Sequence, residues 1–165
     1  MNNVNILIGN VLAFIAAMIL IYTGILKKKK QIIFYQTINI ALYAISNLVL
    51  GGVVGFINNI LNIVRNILCY KDKLDFKWKI IITVITIILT ICFNNISIIG
   101  LLPSISALIY LWYMDVKDVK KFKLLIAFVM IFWVIYDFYI KSYVGALFDL
   151  CTVIVNLISC YRIKQ

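Results

Sequence analysis

Residues 79–93 read KIIITVITIILTICF. The run is apolar throughout, yet shorter than the roughly 20 residues a helix needs to cross a hydrocarbon core about 30 Å thick. Placing Trp78 and the Lys79 ammonium at the membrane interface completes it, since both side chains pair an apolar body with a polar tip. This stretch decides the fold because every span reverses the side on which all later connectors lie.

Six stronger candidates flank it, at 4–26, 32–50, 53–70, 96–114, 123–140 and 143–161, with connectors at 27–30, 51–52, 71–78, 94–95, 115–122 and 141–142. If 79–93 spans, 14 of the 16 basic residues share one side: Lys27 to Lys30, Lys71, Lys73, Lys77, Lys79, Lys117, Lys120, Lys121, Lys123, Arg162 and Lys164. Lys141 stands alone opposite, and Arg65 lies within a span. If it does not span, Lys117 to Lys123 change sides and the asymmetry collapses. Basic residues collect on the cytoplasmic side of short loops, so the charge distribution predicts seven spans with the N-terminus outside and the C-terminus in the cytoplasm.

Composition agrees. The 165 residues are 65% hydrophobic and 13% charged, with a mean hydropathy of +1.08, far from a soluble domain. The net charge of +10 sits in connectors beside apolar runs. It therefore points to a lipid bilayer as partner and not to nucleic acid. Residues 1–5 carry no basic run, so the first apolar stretch reads as a retained span and not a cleaved signal. Histidine is absent, which removes the commonest general base and metal ligand. No nucleophile–base pair or metal cluster stands out either, so the chain is expected not to be an enzyme and to need no metal or cofactor. Cys69, Cys92, Cys151 and Cys160 form no C-x-x-C pair and are expected to be free.

Shifting the chain by 91 residues superimposes 8–73 on 99–164 without a gap, matching Gly9 with Gly100, Tyr22 with Tyr113, Lys29-Lys30 with Lys120-Lys121 and Cys69-Tyr70 with Cys160-Tyr161. The expected fold is thus an all-α integral membrane protein of seven transmembrane helices: a three-helix repeat (4–73), a linker helix (77–95) and a second, parallel three-helix repeat (96–165). Parallel repeats about an axis along the membrane normal are a carrier plan, with the site between the halves near the midplane.

Polar stripes interrupt the spans. Gln36, Asn39, Tyr43 and Asn47 recur at helical spacing in the second, Asn58, Asn62, Arg65 and Asn66 in the third, and Asp149, Thr152, Asn156 and Ser159 in the seventh. Such side chains are unfavourable in lipid and must face the bundle interior or a wet cavity. Asparagines can equally be interhelical hydrogen-bonding groups, and Arg65 can equally snorkel to the headgroups. The candidate solute-binding residues are Tyr43, Asn58, Asn62, Arg65, Asn66, Trp133, Asp137, Asp149, Thr152 and Asn156. A buried carboxylate such as Asp149 leaves proton coupling open. Pro103, the single proline, reads as a hinge or a static kink inside the fifth span.

Leu61-Asn-Ile-Val-Arg65, Leu101-Leu-Pro-Ser-Ile105, Trp133-Val-Ile-Tyr-Asp-Phe138 and Val155-Asn-Leu-Ile-Ser-Cys-Tyr-Arg162 resemble segments of the bacterial YgjV family of inner-membrane proteins. That family is similar to the wider group of SWEET sugar facilitators, PQ-loop proteins and PnuC-type vitamin carriers. The resemblance implies the three-plus-one-plus-three plan and a site built from asparagines of the third and seventh helices and aromatics of the second and sixth, matched here by Asn58, Asn62, Asn156, Tyr43 and Trp133. The chain departs from SWEETs in having one proline, no Pro-Gln pair and no Trp in its second span. The functional expectation is a facilitator for a small polar solute, working by alternating access between helices 3 and 7, with self-association left open. The alternative is a non-transporting membrane protein: a receptor-like binder, or an immunity or accessory protein.

Overall fold

The computed structural model describes residues 3–93 and 98–162, and these form seven α-helices. They are α1 (Asn3–Ile25), α2 (Lys29–Val49), α3 (Val53–Tyr70), α4 (Phe76–Phe93), α5 (Leu102–Tyr113), α6 (Val119–Tyr139) and α7 (Tyr143–Arg162). A 3₁₀ turn, Ile99–Leu101, leads into α5. The expected connector at 94–95, the start of the fifth span at 96–97 and the tail residue Lys164 lie outside the described residues.

Six of the helices are long and apolar enough to cross a membrane, α4 among them. α5 with its 3₁₀ turn rises only about 24 Å and is the short one. Boundaries moved where a carboxylate caps a helix. Asp75 Oδ1 accepts from Trp78 N at 2.9 Å, so α4 starts at Phe76, three residues before the apolar run. Asp118 accepts from Lys120 N at 2.8 Å, and α6 starts at Val119. Such oxygens satisfy donors that the first turn leaves without a partner.

The helices are inside out relative to a soluble bundle. Leu7, Phe14, Ile91 and Leu147 point outward, whereas Asn47, Asn58, Asn66, Thr152 and Asn156 are buried. Lipid supplies the apolar solvent outside, and polar side chains gather within, away from it. Trp78, Trp112, Tyr113, Tyr139 and Tyr143 are exposed near helix ends, as an interfacial aromatic belt requires.

Neighbours run α1, α2, α3, α5, α6, α7 and back to α1, a closed ring with α4 outside it against α3 and α5. The basic connectors meet at one end of this ring. Lys30 pairs with Asp72 at 2.6 Å, and Lys79 pairs with Asp115. Lys29 donates to the carbonyls of Met114 and Val116, and Cys160 Sγ to Lys120 O at 3.3 Å. At the other end, Asn10 binds the corner around Lys141, donating to Lys141 O at 3.3 Å and accepting from Val144 N at 3.0 Å. All four cysteines are free.

Backbone landmarks recur ninety residues apart. Gly52 N donates to Asn47 O and Ser142 N to Asp137 O, both at 2.8 Å. These bonds close the α2–α3 and α6–α7 corners around left-handed Gly51 and Lys141. Ile32 N to Lys28 O matches Phe122 N to Asp118 O, and Leu26 N to Thr23 O matches Val116 N to Tyr113 O. The landmarks therefore correspond one residue short of the 91 read from identities. At this register Asp149 matches Asn59 rather than Asn58, Asp137 matches Asn47 rather than Ser46, and Trp133 matches Tyr43.

Gly55, beside the first corner, is required by close approach. A Cβ there would stand 2.7 Å from Asn47 Nδ2 and 2.8 Å from Tyr136 Cε1, and its amide donates to Tyr136 Oη at 3.1 Å. Gly55→Ala is expected to cost about 1–3 kcal/mol through overpacking, read as a lower melting temperature of the purified protein in detergent. An unchanged melting temperature would contradict this contact between α3 and α6.

Candidate functional site

A cavity of about 60 Å³ lies within the helix ring, room for a few water molecules. Its wall comes chiefly from α2 (Gln36, Asn39, Ile40, Tyr43), α3 (Asn59, Asn62, Arg65), α5 (Ser106, Ala107, Tyr110) and α6 (Val129, Met130, Trp133, Asp137), with Leu20 of α1 and Asp149 of α7. Five pairs of these residues stand ninety apart: Leu20 and Tyr110, Asn39 and Val129, Ile40 and Met130, Tyr43 and Trp133, Asn59 and Asp149. Matched positions of the two three-helix sets thus face one space.

Of the residues singled out in the sequence, Tyr43, Asn62, Arg65, Trp133, Asp137 and Asp149 line this cavity. Asn58, Asn66, Thr152 and Asn156 are buried without lining it. Asn58 Nδ2 donates to Val54 O and Ser104 Oγ, both at 2.9 Å. Thr152 Oγ1 and Asn156 Nδ2 donate one turn back within α7, at 3.0 and 2.9 Å. Of α7, Asp149 alone reaches this cavity, and part of that helix packs against α1. Gly24 permits that approach, since a Cβ there would lie 2.5 Å from Val155 Cγ1.

Pro103 sits where α5 begins. It occupies the first turn of α5, where the missing N–H has no intrahelical partner to lose. It starts the helix, at the junction with the 3₁₀ turn.

Arg65 does not snorkel. It is 4% exposed; Nη1 donates to Asn62 Oδ1 at 2.7 Å, and Nε and Nη2 donate to Asn66 Oδ1 at 3.1 and 2.8 Å. The guanidinium carbon stands 4.3 Å from the Tyr110 ring centroid, a cation–π distance. Tyr110 Oη in turn donates to Gln36 Oε1 at 2.8 Å. At the other end of the cavity, Tyr43 Oη donates to Asp149 Oδ1 at 3.3 Å. Asp137 lies over the first turn of α7, against Ser142 and Gly145, with neither carboxyl oxygen hydrogen-bonded.

Asn59, Ser106 and Tyr110 were missed as site residues. Asn59 stands beside the Asn58/Asn62 stripe, and only the ninety-residue register marks it as the counterpart of Asp149. Tyr110 follows Pro103 and Ser106 at helical spacing, the one signal it leaves.

The architecture and its polar interior define a multi-pass, all-helical membrane protein with an internal cavity. The chain matches the Imp-YgjV family, described as bacterial inner membrane protein, over residues 7–165. It belongs to that family and is a multi-pass protein of the bacterial inner membrane. No curated protein and no solved structure matches it.

Proposed function

We propose that this protein is a carrier for a small polar solute, working by alternating access around the cavity enclosed by α2, α3, α5 and α6. The observation that carries the proposal is the pairing of matched positions across that cavity. Helix neighbours follow the same exchange: α1–α2 corresponds to α5–α6, α2–α3 to α6–α7, and α1–α7 to α5–α3, with α4 outside as the linker. Two like-oriented halves that share a cavity lined by both polar and apolar side chains suit rocking of one half against the other. The cavity admits only a few waters as it stands, so a solute of several heavy atoms needs that motion to enter and leave. The protein acts without catalysis, and its partners are the bilayer and the solute.

The gathered basic connectors support a cytoplasmic assignment for that end, with the N-terminus outside. In a cysteine-free background, Lys117→Cys is expected to be alkylated by an impermeant maleimide only in inverted vesicles, and Lys141→Cys only in intact cells. The reverse pattern would overturn the orientation. The carrier reading is tested by uptake into proteoliposomes across a panel of sugars, nucleosides, amino acids and vitamins. At least one solute is expected to enter at a rate well above protein-free liposomes. If none does, a non-transporting role replaces the carrier.

A further inference from the structure

The cavity is lined by ionisable groups of opposite sign that do not pair with each other. Among the described residues the ion pairs are Lys30–Asp72 and Lys79–Asp115, both at the basic end and both outside the cavity. Arg65 has only neutral partners, two carboxamide oxygens and an aromatic ring. Asp149 has the Tyr43 hydroxyl, and Asp137 has no hydrogen bond although it is 1% exposed. The Nδ2 of Asn59, 3% exposed, is likewise without a partner and lines the same space.

The charges are also separated along the axis. Arg65 lies six residues after Asn59, about 9 Å along α3 toward the basic end, and Asn59 matches Asp149 across the cavity. Asp137 lies farther still from Arg65, at the α6–α7 corner. The cavity is therefore cationic at its basic end and acidic at the other, with the Tyr43 and Trp133 rings flanking the acidic part.

We propose that the solute is a small zwitterion of the amino-acid class, its carboxylate held by Arg65 and its cationic nitrogen by Asp149 and Asp137. This rests on the carrier reading. A buried ion without a counter-ion is costly, so a solute is favoured according to how many of the cavity's charges it matches. A neutral sugar matches none of them. A simple carboxylate leaves the acids unmatched, and a simple amine leaves Arg65 unmatched. A zwitterion answers both ends at once, and an ammonium group also gains from the aromatic faces beside it. The planar guanidinium suits a carboxylate through paired N–H donors, and the small cavity favours a short solute.

The test uses the full chain in proteoliposomes with labelled glycine, alanine, 4-aminobutyrate and glycine betaine, against glucose, a nucleoside, acetate and choline. Uptake of at least one zwitterion is expected, competed by zwitterions and not by acetate, choline or glucose. Arg65→Gln and Asp149→Asn are each expected to reduce it at least tenfold, with Arg65→Lys retaining part. Gel-filtration profiles and melting temperatures of the variants, compared with the parent, separate lost binding from lost folding. Uptake of glucose or the nucleoside without the zwitterions would leave the carrier standing and overturn this assignment. Uptake of zwitterions undiminished in both well-folded variants would overturn it as well. If no solute crosses, the carrier reading and this assignment fall together.

Discussion

Lys29→Met combined with Lys123→Met is expected to open the basic end of the bundle and uncouple transport. Lys123 is 2% exposed and donates to the carbonyl of Gly24 at the end of α1, where Ser159 Oγ also donates, at 2.9 Å. Lys29 reaches the carbonyls of Met114 and Val116 at the end of α5. Each lysine thus ties the start of a second helix in one half to the end of the first helix in the other. Carbonyls at a helix C-terminus lack intrahelical partners and carry the negative end of the dipole, so an ammonium suits them. A hydrogen bond to a charged group contributes about 1.5–3 kcal/mol. Counting one such bond for each lysine, the loss amounts to about 3–6 kcal/mol, a shift of roughly a hundredfold or more in the balance between closed and open forms. Asn62→Cys, at the cavity wall, reports the change. Its alkylation from the basic side is expected to rise at least tenfold in the double variant while net uptake falls. Unchanged alkylation would show that these contacts do not hold that end shut.

The fold was legible because membrane physics writes coarse signals. Apolar length marks spans, and the placement of lysines decides whether 79–93 is one of them. The boundaries were less legible, since Asp75 and Asp118 begin their helices within charged connectors that hydropathy excludes. The backbone landmarks recur at ninety residues where the identities read 91, and a related reason accounts for the difference. Tyr22, Tyr113, Tyr70 and Tyr161, which favoured 91, are all exposed and face lipid or headgroups, where little fixes identity. The corners at Gly51 and Lys141 do fix position, but through hydrogen bonds between backbone atoms that Gly and Lys do not share as side chains. The site was half legible. Arg65, Asp137 and Asp149 announce themselves by charge, whereas one asparagine in a stripe looks like the next. Whether Asn62 lines a cavity and Asn58 bonds to Ser104 depends on how α5 packs against α3, and no single-helix pattern contains that.

Asp137→Asn is expected to stabilise the protein while impairing it. The α2–α3 corner supplies the control, because Asn47 there has the same carbonyl-to-amide bond beneath it. An asparagine is therefore sterically at home over the first turn of the following helix. The carboxylate at 137 is enclosed by protein and has no hydrogen-bond partner. An ionised Asp at a span centre costs about 2.5–3.5 kcal/mol on the insertion scale. The nearby helix N-terminus offsets about 0.3–1 kcal/mol of that, and a position toward the span end reduces the cost further. The neutral amide carries no such cost, so a melting temperature at or above that of the parent is expected. Uptake is expected to fall at least tenfold in the same variant, since the acidic end of the cavity loses a charge. A residue that lowers stability where it stands is characteristic of a working site. A melting temperature that drops together with uptake would instead make Asp137 a structural support of the α6–α7 corner.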